Sequence, residues 1–198
     1  MRKIFLLSII FSNFCFGQRT EKEIINEEGN NCKRIKKETI EDFKKYFPLN
    51  ETQKLLLVSF EYFIPYKTNP KNGELIGKEK RGLPLVQNKI NYEELKEFKV
   101  FNLKELEKLF DILFNFGIDN SKTYIIENGV SCYQPRNAIV FLNEKNEVIE
   151  YIEICFSCSH TAVFKKTQFG EFCEGKLDLV KSFFIEKGIQ YGTIGKYY

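Results

Sequence analysis

The feature that most restricts the fold is the alternation of apolar residues with a two-residue period along residues 54–64. Successive side chains of a strand point to opposite faces, so this alternation predicts a strand with one buried face. The opposite row contains Ser59 and Glu61 and is half polar, and Pro65 ends the pattern because proline has no N–H to donate. The apolar row consists of Leu56, Val58, Phe60, Tyr62 and Ile64. The chain must therefore build a sheet and cover at least one face of it.

The strongest helical pattern covers residues 103–116, where apolar residues recur at helical spacing. Asn102 stands at the N-cap position with Glu105 three residues later, and Gly117 is placed to end the helix. The buried stripe is predicted to contain Leu103, Leu106, Leu109, Phe110, Leu113 and Phe116. We expect this stripe to pack against the sheet.

One shorter helix is predicted near each end of the domain. The first covers about 39–47, where Thr39 and Asp42 resemble an N-terminal cap. The second covers about 176–187, and Gly188 is placed to end it.

Two strand-like runs in the C-terminal half predict a β-hairpin. Ala138–Leu142 and Val148–Phe156 are separated by Asn143–Asn146, a tight polar turn. Residues 66–90 are rich in glycine, proline and charge, and predict an irregular segment with one short strand near Leu83–Val86. Because strands and helices do not alternate regularly, the predicted class is α+β, with a mostly antiparallel sheet and about three packed helices.

The N-terminus has the three-part organisation of a secretory signal peptide over residues 1–17. Arg2 and Lys3 are positive, the run to Phe16 is mainly apolar, and Gly17 is small at the position before the expected cut. The apolar run is shorter than the ~18–20 residues that span a bilayer, so no transmembrane anchor is expected in the mature chain. The protein is predicted to be exported to the periplasm or the extracellular space.

The composition of the rest of the chain predicts a single domain. Residues 18–36 are polar and predict a flexible leader, which leaves one globular α+β domain over 37–198. Removing residues 1–17 lowers the net charge from +3 to about +1. No basic stripe of the kind that neutralises phosphates is present, so a nucleic-acid partner is not expected. The absence of tryptophan weakens a carbohydrate-binding hypothesis.

Five of the six cysteines remain after the signal peptide, which contains Cys15. An odd number leaves at least one thiol without a partner in the same chain. Cys32 lies in the predicted leader and is the expected outsider. The other four could form two disulfides, and they are Cys132, Cys155, Cys158 and Cys173.

The hairpin predicts where these cysteines meet. A turn centred on Glu144 and Lys145 gives a register that places Cys132 opposite residue 157, between Cys155 and Cys158. On a straight strand the Cα atoms of Cys155 and Cys158 would lie ~10 Å apart, too far for a disulfide. Either the chain turns at residues 156–157 and the pair bonds or binds a metal, or it stays straight and each cysteine takes another partner.

Four interpretations of the cysteines compete. Zinc is the alternative cofactor, held by Cys132, Cys155, Cys158 and either Cys173 or His160. Cys155 and Cys158 could instead form a redox-active dithiol, or Cys132 or Cys158 could be a nucleophile with His160 as its base. Structural disulfides with no cofactor are favoured, because an exported domain lies in an oxidising compartment.

Arg136 is the other candidate binding residue. It follows Pro135, and its planar guanidinium could hold a carboxylate or a phosphate. Glu150 and Glu153 fall on opposite faces of a strand, so they make no paired-carboxylate site without a bulge. One of them is expected to pair with Arg136, and no residue is predicted to be catalytic.

Two cysteine motifs carry a resemblance. Cys132-Tyr133-x-Pro135-Arg136-x-Ala138-Ile139 and Ile154-Cys155-Phe156-x-Cys158, followed by Phe169-Gly170-x-Phe172-Cys173, are similar to a family of small exported flavobacterial (Bacteroidetes) proteins. The resemblance covers about the C-terminal third and the helix over 103–116, and it implies no activity, ligand or cofactor. The sequence favours a non-enzymatic binding or structural module stabilised by cysteines, with a partner it does not identify. The alternative is a thiol-redox or metal-binding protein.

Overall fold

The computed structural model describes residues 31–62, 67–76, 82–118, 133–165, 170–171, 173 and 175–194. The predicted signal peptide and residues 18–30 of the predicted leader lie outside these ranges.

The described residues form strands of very different length. In chain order they are β1 (Cys32–Arg34), β2 (Lys54–Phe60), β3 (Lys67–Thr68), β4 (Leu75–Ile76), β5 (Leu85–Val86), β6 (Lys89–Ile90), β7 (Leu95–Phe101), β8 (Phe116–Ile118), β9 (Asn137–Leu142), β10 (Val148–Cys155) and β11 (His160–Val163). The described part of the chain contains one five-stranded antiparallel sheet, in the order β11-β10-β9-β2-β7. The predicted α+β class with a mainly antiparallel sheet is confirmed.

Strand β2 lies between β9 and β7 in the sheet and is buried on both faces. Leu56, Val58 and Phe60 are buried as the alternation predicts. The second row is half polar as expected, yet Leu55, Leu57 and Ser59 in it are also fully buried. Ser59 is accommodated there because its hydroxyl donates a hydrogen bond to Glu97 on β7 at 2.9 Å.

One face of the sheet is covered by helices. In the described residues these are α1 (Ile40–Phe43), α2 (Glu107–Phe110) and α3 (Lys176–Glu186), and a 3₁₀ turn (Lys104–Leu106) and a π turn (Asp111–Asn115) flank α2. The apolar core on this side joins Leu55 and Leu57 of the sheet to Leu106, Leu109 and Phe183 of the helices. The about three packed helices expected from the sequence are thus present, and no described helix has the length and apolarity to cross a membrane.

The predicted helix over 103–116 ends one residue earlier than expected. Its N-terminus is as predicted, because Asn102 and Glu105 exchange side-chain-to-backbone hydrogen bonds at 2.8 and 3.1 Å. Helical structure stops at Asn115, whose side-chain amide bonds the backbone of Glu38 in both directions. Phe116 begins β8, which pairs with β1, so the ladder with β1 overrides the local signal of Gly117.

The opposite face of the sheet is covered by the segment from residue 82 to residue 95. Leu83 and Ile90 pack there against Val58 and Val140. The short strand predicted near Leu83–Val86 is present as β5, and it forms a small hairpin with β6. The sheet therefore lies between a helical layer and a layer of irregular chain.

The β9–β10 hairpin is present, but its register differs from the predicted one. Ala138 pairs with Glu153, two positions further along β10 than a turn centred on Glu144 and Lys145 allows. The loop is one residue longer, since Asn143 and Glu147 close it, and a bulge between Val148 and Glu150 shifts the register again. Sequence alternation shows faces but does not show bulges, which explains the error.

Candidate functional site

The described cysteines form two disulfides. Cys32 bonds to Cys173 with Cα atoms 5.1 Å apart, and Cys155 bonds to Cys158 with Cα atoms 5.5 Å apart. The expectation that Cys32 stands apart in a flexible leader is wrong, because Cys32 is buried in β1 and β1 pairs with β8. The leader boundary at residue 36 therefore lies too far along the chain.

The bond between Cys155 and Cys158 decides between the two geometries left open by their spacing. The chain turns over residues 156–159, with Ser159 at a φ of 48°, and then returns as β11. Cys155 thus pairs in register with His160. The straight-strand alternative is wrong, and the turning alternative is confirmed.

The predicted four-ligand cluster does not form within the described part of the chain. Cys173 bonds to Cys32, and no group of three histidine, cysteine or acidic side chains in the described ranges could hold a metal. Every described cysteine is in a disulfide, so the described residues offer no thiolate for zinc. Cys132 lies outside the described residues, and its approach to Cys155 and Cys158 stays a prediction.

Arg136 is half-buried at the start of β9, where its carbonyl accepts the N–H of Phe60 at 2.9 Å. Its role as an anion contact stays a prediction. Glu150 is fully buried, and its carboxylate accepts the backbone N–H groups of Tyr151, Phe164 and Lys165. This carboxylate thus satisfies donors at the end of the β10–β11 ladder, which gives it a structural role.

A group of side chains, of which the sequence analysis singled out only His160 as a candidate site residue, meets on the sheet face opposite the helices. We call it the β10–β11 cluster, and it consists of Tyr133, Tyr151, Glu153, His160 and Phe164. Tyr151 and Glu153 are two residues apart on β10, so they point to the same face. Ala162 pairs with Glu153, and His160 and Phe164 lie two residues to either side of Ala162. The hairpin that the disulfide closes thus brings the members of the cluster together.

Glu153 lies at the centre of this cluster and holds two distant loops. Its Oε1 accepts the backbone N–H of Leu83 at 2.6 Å, and its Oε2 accepts the hydroxyl of Tyr133 at 3.4 Å. Gly82 has a φ of +73°, and a Cβ atom there would collide with Oε1 of Glu153. Glycine is therefore required at residue 82, because only glycine lets the backbone approach this carboxylate so closely.

The electrostatics of the cluster follow from burial. Burial raises the pKa of Glu153 above its usual value, although the hydrogen bonds from Leu83 and Tyr133 oppose the rise. Burial, and then the nearby Glu153 carboxylate, also raise the pKa values of Tyr133 and Tyr151. Across the described ranges, no ammonium or guanidinium group lies within ion-pair distance of Glu153. The carboxylate is thus partly desolvated and bonded only to neutral donors.

Aromatic rings surround this carboxylate and reach the solvent. The rings of Tyr133 and His160 meet edge to face at 5.8 Å between centroids, and those of Tyr151 and Phe164 stack at 4.8 Å. Phe164 is 45% exposed, and His160 is exposed as well. A partly exposed aromatic surface beside a hydrogen-bond acceptor is what a small ligand with an apolar side and a polar or charged group requires.

A pocket of about 420 Å³ is lined in part by residues 82–85. Glu61, Glu93 and Glu94 line it together with Lys96, whose ammonium pairs with Glu61 at 3.0 Å. Gly82 and Leu83 border both this pocket and the carboxylate of Glu153. Residues 82 and 83 therefore connect this acidic pocket to the β10–β11 cluster.

One local signal for the cluster was present in the sequence. Tyr151 and Glu153 occupy the same row of a strand, and this polar and aromatic row interrupts an otherwise apolar hairpin. The contact with Leu83 could not be found in this way, because 70 residues separate the two partners.

Comparisons with protein-family models, with curated proteins and with solved structures found no match. The resemblance of the cysteine motifs to a flavobacterial family stays a prediction.

Proposed function

We propose that the chain is an exported, disulfide-stabilised binding module, and that the β10–β11 cluster binds its ligand. The observation that carries the proposal is the carboxylate of Glu153, which is partly buried beside the aromatic residues of the cluster and, among the described residues, accepts hydrogen bonds from the neutral donors of Leu83 and Tyr133. Partly buried polar groups beside open apolar surface are typical of ligand sites.

Two further features support this proposal. The described cysteines are all in disulfides, and disulfides persist in oxidising compartments outside the cytosol. The Cys155–Cys158 bond also closes the hairpin that carries His160 and Phe164, so it holds the cluster in shape. A preorganised site loses less conformational entropy when its ligand binds.

The binding part of the proposal is tested with a panel of three probes of different chemistry. Choline chloride, cellobiose and sodium succinate represent organic cations, neutral sugars and dianions, and the melting temperature of the protein is measured with each. We expect one probe to raise the melting temperature of the wild type and to lose this effect in Phe164→Ala.

Phe98→Ala is the matched control, because Phe98 is also 45% exposed but lies on β7 at the opposite edge of the sheet. The proposal fails if no probe acts, or if the effect is equal in Phe164→Ala and Phe98→Ala.

The export part is tested separately. When the gene is expressed with its own N-terminus, the intact mass of the exported protein should match residues 18–198. Recovery of the whole chain from the cytosol, with residues 1–17 retained, would contradict the proposal that the protein is exported.

A second candidate function, thiol–disulfide exchange, has one observation in its favour. The Cys155–Cys158 bond spans only its own turn, and Cys158 is partly exposed. One thiolate of a dithiol reductant could attack the sulfur of Cys158 and release Cys155 as a thiolate. The second thiol of the reductant would then attack the mixed disulfide, release Cys158 as a thiol and close the disulfide of the reductant. Alkylation mass spectrometry after equilibration in a glutathione redox buffer tests this function. Reduction of this pair while Cys32–Cys173 stays oxidised would support exchange, and reduction of neither pair would exclude it.

A further inference from the structure

We propose that the ligand of the β10–β11 cluster is an organic cation, an ammonium group that carries alkyl substituents, held beside the Glu153 carboxylate by the rings of Tyr133 and Tyr151. This inference rests on the proposed function, and it narrows that function to one class of ligand.

The charge of Glu153 is the first argument. A carboxylate that leaves water needs a cation or several strong donors to compensate for lost hydration. Glu153 receives one backbone N–H and one hydroxyl, and no described lysine, arginine or histidine forms an ion pair with it. A cationic ligand would supply the positive charge that none of the described residues places beside Glu153.

The rings around the carboxylate are the second argument. The face of a phenol or phenyl ring attracts a cation within about 6 Å of its centre. The Tyr133 hydroxyl touches the carboxylate, and Tyr151 lies two residues away on the same face of β10. A cation beside Glu153 would therefore lie next to the hydroxyl of Tyr133, on the face of β10 that also carries Tyr151.

The patch already attracts one cation of the chain itself. The ammonium of Lys165 stands over the ring of Phe164, 5.5 Å from its centroid. Phe164 in turn stacks on Tyr151. The exposed end of the cluster thus already holds a cation against an aromatic ring.

The donor set excludes the other simple ligands. A divalent metal requires several oxygen ligands, and no group of three ligating side chains occurs in the described ranges. A neutral sugar would leave the charge of Glu153 uncompensated. An ammonium with alkyl substituents is weakly hydrated, so it leaves water readily and offers carbon atoms to the rings.

Choline and 3,3-dimethyl-1-butanol are the probes, because they have the same shape and differ by the positive nitrogen. His160 is the reporter, since the sequence contains one histidine and that residue lies in the cluster. The imidazole proton signals of untagged protein are followed by NMR during each titration. We expect choline to shift them with an affinity at least about tenfold higher than that of the neutral analogue, a difference of ~1.4 kcal/mol.

Glu153→Gln keeps the shape of the side chain and removes its charge, and it should lower choline affinity at least about tenfold. Glu144→Gln removes an exposed carboxylate in the β9–β10 turn and should leave the affinity unchanged. Equal shifts with choline and its neutral analogue in the wild type would overturn the inference without any variant, as would equal choline affinity in Glu153→Gln.

The two proposals fail in different ways. If cellobiose or succinate binds at Phe164 and choline does not, the inference of a cationic ligand is wrong, but the proposal that the cluster is a binding site is supported. If none of the probes binds there, both proposals fall.

Discussion

At the residue scale, Glu153 joins the irregular layer to the sheet. Its carboxylate binds the N–H of Leu83 and the hydroxyl of Tyr133, which belong to two different loops. Replacing this side chain should change stability, apart from any effect under the proposed binding function, and the pH dependence of unfolding isolates the change in stability.

The pH dependence of stability should change in Glu153→Gln. Because burial raises the pKa of Glu153 from 4.5, the folded state binds its proton more tightly than the unfolded state. The stabilising contribution of Glu153 is thus complete below pH 4.5 and declines as the pH rises through the folded pKa. The free energy of unfolding of the wild type, relative to Glu153→Gln, should fall between about pH 4 and pH 7. Urea unfolding at both pH values measures this, and a constant difference would show that burial does not perturb Glu153.

Lys176 should show a dependence of the opposite sign. Its ammonium is buried and donates to the carbonyl oxygen of Leu113 at 2.7 Å and to that of Glu171, and so caps the end of the preceding helix. Burial lowers its pKa from 10.5 to about 8. The unfolded state therefore holds more protons between these values, and wild-type stability should rise from pH 8 to pH 10.5 relative to Lys176→Met. Parallel stability curves for the two proteins would contradict this assignment.

Gly192 is required by contact as well as by backbone conformation. Its φ is +79°, and a Cβ atom would collide with Oδ1 of Asn137 and with the side chain of Arg136. Gly73 has a similar φ of +71° but open space around it. Gly192→Ala should therefore lower the free energy of unfolding by about 1–3 kcal/mol more than Gly73→Ala does. Equal losses of unfolding free energy in denaturant titrations would show that the Asn137 side chain moves aside for the new methyl group.

At the element scale, sequence reasoning found most elements and missed how some of them pair. The alternation in β2 and the caps at Thr39 and Asn102 are local signals, and the structure contains the elements they predict. The pairing of β1 with β8 is long-range, and three residues of β1 carry too weak a pattern to reveal it. For that reason the sequence pattern places Cys32 in a flexible leader and not in a strand.

The two disulfides should contribute unequally to stability. Cys32–Cys173 spans 141 residues, whereas Cys155–Cys158 spans 3. In the chain-entropy account, a disulfide stabilises the folded state because it restricts the unfolded chain. The bond that closes the long loop contributes about 5 kcal/mol, and the bond that closes the short loop about 2 kcal/mol. The double variant Cys32→Ala/Cys173→Ala should therefore lose clearly more stability than Cys155→Ala/Cys158→Ala. Guanidinium unfolding compares the two, and a larger loss from the short loop would contradict the account.

At the scale of the whole molecule, the two faces of the sheet are covered differently. Helices and the main apolar core cover one face, and the irregular segment from residue 82 to residue 95 covers part of the other. The β10–β11 cluster lies where this cover ends. The sequence could predict the class and the helical layer because both follow from local periodicity, but the cluster depends on a bulge and on a contact between residues 83 and 153.

The amide proton of Leu83 tests the central claim most directly. It donates to Glu153 from a loop 70 residues away in sequence, so it reports on this carboxylate and not on β10 itself. In ¹⁵N-labelled protein, the probe that raises the melting temperature should shift the Leu83 amide signal of the wild type and of Glu144→Gln, and should leave it unmoved in Glu153→Gln. If that probe shifts other amides while the Leu83 signal stays in place, the ligand binds elsewhere and the β10–β11 cluster is not the binding site.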